Sequence, residues 1–134
     1  NNMEIYKIEA TENTPLIDLN HNNHTLLFEG DSRPENVQQF FSPILKWLED
    51  YSKHIYFLKD LNNSSINVVC NFKFEYFNSS SAKYIRDVIT TLASVESGVN
   101  LKINWHYEEM DEDMQEAGEE FEEMMGIKFN FIVE

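Results

Sequence analysis

The chain has 134 residues, of which 42% are hydrophobic and 13% aromatic, enough apolar material for a single domain with its own core and no covalent staples. A formal net charge of −14 excludes nucleic acid and anionic membrane as favoured partners and leaves proteins as the natural ones. The single cysteine, Cys70, excludes an internal disulfide framework, and no apolar run or basic leader suggests membrane insertion or export, so the sequence predicts a cytoplasmic protein. Whether Asn1 and Asn2, ahead of Met3, belong to the natural chain is left open by the residues themselves.

Two short strands are expected first, over 14–19 (TPLIDL) and 24–30 (HTLLFEG), with the turn-rich NHNN between them. GDSRPEN follows at 30–36. There Ser32 and Glu35 have the spacing of a capping box and Pro34 suits a first turn, so a helix is expected to begin. Val37, Phe40, Phe41, Ile44, Leu45, Leu48 and Tyr51 recur at helical spacing to about residue 53, and Pro43 inside that pattern predicts a kink or a split. After the polar DLNNSS, the run INVVCNFKFEYF (66–77) alternates Ile66, Val68, Cys70, Phe72 and Phe74 onto one face, as a central strand does. In that setting Cys70 reads as a buried small hydrophobe.

Asn78, Ser79, Ser80 and Ser81 then open a second helix, with Ile85, Val88, Ile89 and Leu92 as its buried stripe and Gly98 as its stop. VNLKINWHYEE places Leu101, Ile103, Trp105 and Tyr107 on one face of a further strand. A third helix is expected to bury Met114, Ala117, Gly118, Phe121, Met124 and Met125 and to end at Gly126, before a last strand over 128–133. Strands alternating with helices in this order predict one α/β domain over residues 1–134, a mixed sheet of about five strands with helices packed on it.

The chemistry of enzymes finds no sequence foothold. Four glycines make neither a phosphate-binding loop nor a nucleophile elbow around the serines. His21, His24, His54 and His106 show no paired ligand spacing, and each reads as a surface or satisfied side chain. In DEDMQEAGEEFEE the residue five after Asp111 is Glu116 where a calcium loop needs glycine, so no metal or other cofactor is expected. Ten of the 24 acidic residues fall between Glu108 and Glu123, a window that reads as a solvated helix face or an acidic docking surface.

One serine suffices to cap a helix; three in a row are a surplus. Hydroxyls at a strand-to-helix junction sit where free N–H groups and the helix dipole tolerate an anion, so a phosphate would be accommodated there. The alternative is an unmodified scaffold or small-ligand-binding α/β domain in which the serines only cap.

GDSRPEN, EYFNSSSAK and NWHYEEMDEDMQEAGEEF, in this order and spacing and with ATENTPLIDL ahead of them, resemble the SiaC family of bacterial regulatory phosphoproteins. The resemblance spans nearly the whole chain and implies a fold similar to STAS domains, the anti-sigma-factor-antagonist type. It also implies a non-enzymatic partner switch, in which a dedicated kinase adds a phosphate, a PP2C-type phosphatase removes it, and the unmodified form binds a downstream effector, in one system a diguanylate cyclase. The family's phosphoacceptor, commonly threonine, falls on Ser79, with Ser80 and Ser81 as alternates. Asn78, Ser80, Lys83, Asp31, Ser32 and Arg33 are the residues expected at the partner surface, with GDSRPEN packed near the serine junction.

Overall fold

The computed structural model describes residues 3–62, 65–95 and 99–134. Its elements run β1 (Tyr6–Ile8), β2 (Leu16–Asn20), β3 (Thr25–Ser32), α1 (Val37–Asn62), β4 (Ile66–Phe77), α2 (Ser79–Ala93), β5 (Val99–Tyr107), α3 (Glu112–Met125) and β6 (Asn130–Val133). All six strands form one sheet in chain order, antiparallel from β1 to β3 and parallel from β3 to β6. The short edge strand β1, whose YKI lacks the length of a sequence signal, is the addition to the expected five.

Each parallel step passes through a helix. Right-handed crossovers that always move one strand onward lay all three helices on the same face, where α1 touches α2 and α2 touches α3. The core lies between them and the sheet: Phe28, Val68, Cys70, Phe72, Phe74, Ile103 and Trp105 from the strands meet Phe41, Ile44, Leu48, Ile85, Val88 and Phe121 from the helices. Burial pushes the Cys70 thiol far above its ordinary range, which makes it the inert hydrophobe expected. The opposite sheet face is polar. Asn67 pairs with Asn100, and Asn71, Asn104 and Asn130 run across three strands, each amide donating to the next carbonyl oxygen at 3.0–3.2 Å.

The first helix departs from its expected start. Ser32 stays in β3, paired with Phe77 of β4, so the Ser32–Glu35 capping box does not form and Pro34 precedes the helix. Asn36 caps instead, its side chain accepting the Gln39 N–H at 3.0 Å. The helix then runs through Pro43 without splitting and continues to Asn62, because Ile55 extends the buried stripe beyond Tyr51. DLN is thereby helix rather than loop, while Asn63 and Ser64 of that stretch lie outside the described residues, as does the expected stop at Gly98. The second helix has its C-cap at Ser94. In α3, Gly126 ends the helix in the left-handed conformation with φ 67°. Met124, expected on the buried side, is 60% exposed; the inward stripe is Met114, Gly118 and Phe121, with Ala117 and Met125 half-buried beside it.

Candidate functional site

The C-terminal edge of the parallel strands brings three helix starts together, and β4 is shaped to deliver the middle one. Its register against β3 slips where Gly30 pairs with Phe74 and Asp31 with Tyr76, leaving Glu75 as an extra residue. One extra residue reverses which face the following side chains take. Phe77 therefore turns inward against Phe74, Trp105 and Phe121, while Tyr76 is left 51% exposed. Gly30 accommodates the irregularity at φ 116°, a backbone conformation that other residues avoid.

Asn78 follows in extended conformation, and its side chain accepts the Ser81 N–H at 2.9 Å, which makes it the N-cap of α2. The three serines then occupy three different environments. Ser81 is wholly buried; its hydroxyl donates to the Ser32 carbonyl at 3.0 Å and lies 2.8 Å from the Ser32 hydroxyl. Since a hydroxyl has one proton, Ser32 must be the donor in that second bond. The Asn78 N–H adds a second bond to the Ser32 carbonyl, at 3.1 Å. Ser80 is exposed, but its hydroxyl donates to the Asn78 side-chain oxygen at 3.0 Å. Ser79 is exposed, and its hydroxyl has no partner among the described residues.

Of the residues expected at the partner surface, Asn78 and Ser80 stand at this junction, and Lys83 lies exposed one turn along α2. Arg33 is exposed beside the junction, directly after Ser32, and Asp31 is half-buried. Ser32 itself is not on a surface: its exposure is 0%, because it is spent on Ser81. Ser81 is withdrawn from solvent for the same reason. The first turn of α2 carries no acidic side chain. With Lys83 and Arg33 nearby, its free N–H groups make this a locally anion-tolerant place on a strongly acidic protein.

Sequence reasoning missed Tyr76 and Met110. Met110, in the turn from β5 to α3 on the same edge, is 90% exposed. A large apolar residue in the middle of EEMDED was the available signal for Met110; for Tyr76 there was none, since strict alternation along β4 puts it on the buried face with Phe72 and Phe74 and only the bulge turns it outward. The sequence also gave no hint that histidines would gather. His21 and His54 meet edge to face with ring centroids 5.8 Å apart, and His24 accepts or donates a 2.7 Å bond with the Tyr51 hydroxyl. Among the described residues neither the buried Nδ1 of His21 nor that of His54 has a hydrogen-bond partner, which departs from the expectation of satisfied side chains. Among the described residues no group of three or more potential ligands is arranged to hold a metal ion. His106 is satisfied, bonded through Nε2 to Asn71. No helix in the described residues is long and apolar enough to cross a membrane.

Fold and junction together define a class: an α/β domain with a parallel centre that presents hydroxyls on the first turn of a capped crossover helix. Residues 8–134 match the model of the SiaC family regulatory phosphoproteins, and the chain belongs to that family. It is 28% identical over 123 residues to an uncharacterized protein of Pseudomonas aeruginosa (strain UCBPP-PA14), covering 91% of this chain and 90% of that one. Among solved structures it is similar to apo-SiaC from Pseudomonas aeruginosa, with a TM-score of 0.76 at 26% identity, covering 98% of this chain and 99% of that one. It is also similar to a chain in the crystal structure of diguanylate cyclase SiaD in complex with its activator SiaC, from the same organism, with a TM-score of 0.80 at 25% identity, covering 96% of this chain and 99% of that one.

Proposed function

We propose that this chain is a non-enzymatic partner switch controlled by phosphate on Ser79. A protein kinase transfers the γ-phosphoryl group of a nucleoside triphosphate to the Ser79 oxygen: the new P–O bond forms, the bond to the β-phosphate breaks, and the hydroxyl proton leaves with the kinase's base. A PP2C-type phosphatase hydrolyses the ester and restores the hydroxyl. The unmodified form binds a downstream effector, and since a related chain is the activator of a diguanylate cyclase, a diguanylate cyclase is the effector proposed here.

The observation that carries this reading is the separate fate of three adjacent serines, of which Ser79 alone is both exposed and uncommitted. A phosphate on it would stand at the first residue of α2, where the dipole and the free N–H groups favour negative charge, so the fold itself survives modification. The surface around it would not be the same. Tyr76 and Met110 offer apolar contact area on the same edge, with Arg33, Asp31, Asn78, Ser80 and Lys83 around the hydroxyl. A partner that covers this edge buries a neutral hydroxyl in one state and must desolvate a dianion in the other.

Intact mass of the protein recovered from its own cells, followed by fragment mapping, tests the modification. A gain of about 80 Da, one phosphate, located on Ser79 supports the reading. Protein that never carries phosphate, under growth conditions that change its activity, contradicts it.

A further inference from the structure

We infer that Ser32 is a specificity-determining residue for this phosphorylation: by tying down Ser81 and the start of α2, it leaves Ser79 as the one hydroxyl open to phosphoryl transfer. The inference rests on the functional reading above and goes beyond it, because it concerns how one serine is chosen among three neighbours.

A phosphoryl acceptor has to bring a hydroxyl oxygen in line with phosphorus and give up its proton. Consecutive residues of an extended segment are equivalent in this respect, so NSSSA read as a flexible peptide would offer three acceptors. The folded junction removes that equivalence. Ser81 has its proton on the Ser32 carbonyl and its oxygen under the Ser32 hydroxyl, with neither serine exposed. The same carbonyl holds the Asn78 N–H, which fixes the cap, and the cap in turn holds the Ser80 hydroxyl. These links lead back to the end of β3, where the backbone carbonyl of Ser32 holds Asn78 and the Ser81 proton and the Ser32 hydroxyl alone adds the bond onto the Ser81 oxygen. They matter here because the first turn of a helix has few bonds of its own and is where helices open first. Ser32 is wholly buried, so it acts through Ser81 and Asn78 and not by touching a kinase.

The test compares the wild-type chain with Ser32→Ala, which removes the hydroxyl without adding bulk, and Ser32→Thr, which restores it. Each protein is recovered from the cells of origin, its phosphate mapped to individual serines, and its amide exchange followed over residues 78–82. The expected result is phosphate confined to Ser79 in the wild type and in Ser32→Thr. In Ser32→Ala, which keeps the carbonyl that holds Asn78 and with it the Ser80 cap, phosphate should appear on Ser81 as well as on Ser79, and exchange over the segment should rise about fivefold to tenfold, the loss of one net hydrogen bond read as an opening equilibrium. A purely structural role would raise exchange without moving the phosphate. Phosphate that stays on Ser79 alone in Ser32→Ala, or exchange that does not change, overturns the inference while leaving the switch standing. A wild-type protein without phosphate overturns the switch, and this inference with it.

Discussion

The three serines answer the question that their surplus raises, because each does something different. Ser81 is a buried tie to Ser32, Ser80 steadies the Asn78 cap, and Ser79 remains available. A second group of residues works by proximity in a less comfortable way. Burial, and then His54 and His21, hold the imidazole of His24 below its ordinary value of 6.5; burial and His21 do the same to His54. Since these groups bind protons less readily folded than unfolded, their contribution to stability is complete above about pH 6.5 and is lost as pH falls through the lowered folded values. Denaturant titrations between about pH 7.5 and about pH 5 should show the wild type losing more stability than a His24→Gln, His54→Gln variant. The comparison isolates the imidazoles, because the two proteins share every carboxylate. Equal losses would mean that the histidine cluster does not govern the acid limb.

At the scale of elements, α3 is seated by a glycine. A Cβ on Gly118 would come within 2.5–2.8 Å of three ring atoms of Trp105, a side chain with 0% exposure whose indole N–H donates to the Met114 carbonyl at 2.9 Å. Neither ring nor backbone has room to yield, so Gly118→Ala should lower stability by about 2 kcal/mol or more, with the denaturant midpoint falling and the slope unchanged. A change under about 0.5 kcal/mol would show that helix and ring slide apart freely. Placing Gly118 on the buried face needed only helical spacing, and the strands β2 to β6 were equally legible because alternation over INVVCNFKF or LKINW is a direct consequence of one covered sheet face. What sequence could not supply was anything set by a partner strand. The pairing of Ser32 with Phe77 turned an apparent capping box into strand, and the extra residue Glu75 decided that Phe77 and not Tyr76 faces the core. Met124 was misplaced because a stripe of methionines leaves its edge ambiguous on a narrow buried face. Candidate residues Asn78, Ser79 and Ser80 were legible as a polar run before a helix; the burial of Ser32 and Ser81 against each other, 49 positions apart, was not.

For the whole molecule, the charge is concentrated where the fold has least need of it. Glu119, Glu120 and Glu123 are exposed on α3, off the stripe that meets the sheet. Changing all three to glutamine takes the net charge of −14 to −11 and should leave stability within about 1 kcal/mol, any shift being toward greater stability at low salt as self-repulsion falls. A loss of several kcal/mol on thermal or chemical denaturation would place those carboxylates in the packing of α3. The edge at which phosphate is proposed depends on the whole molecule in another way: six strands in chain order and three crossovers on one face put the starts of α1, α2 and α3 side by side, so that a phosphate on Ser79 would fall at the middle one of the three. The most direct measurement is therefore affinity for the proposed effector, a diguanylate cyclase taken from the organism of origin, determined for unmodified protein, protein phosphorylated on Ser79, and Ser79→Ala. The unmodified and Ser79→Ala forms should bind alike, and the phosphorylated form at least about tenfold more weakly, or 1.4 kcal/mol; equal affinity of the phosphorylated and unmodified forms would contradict the switch.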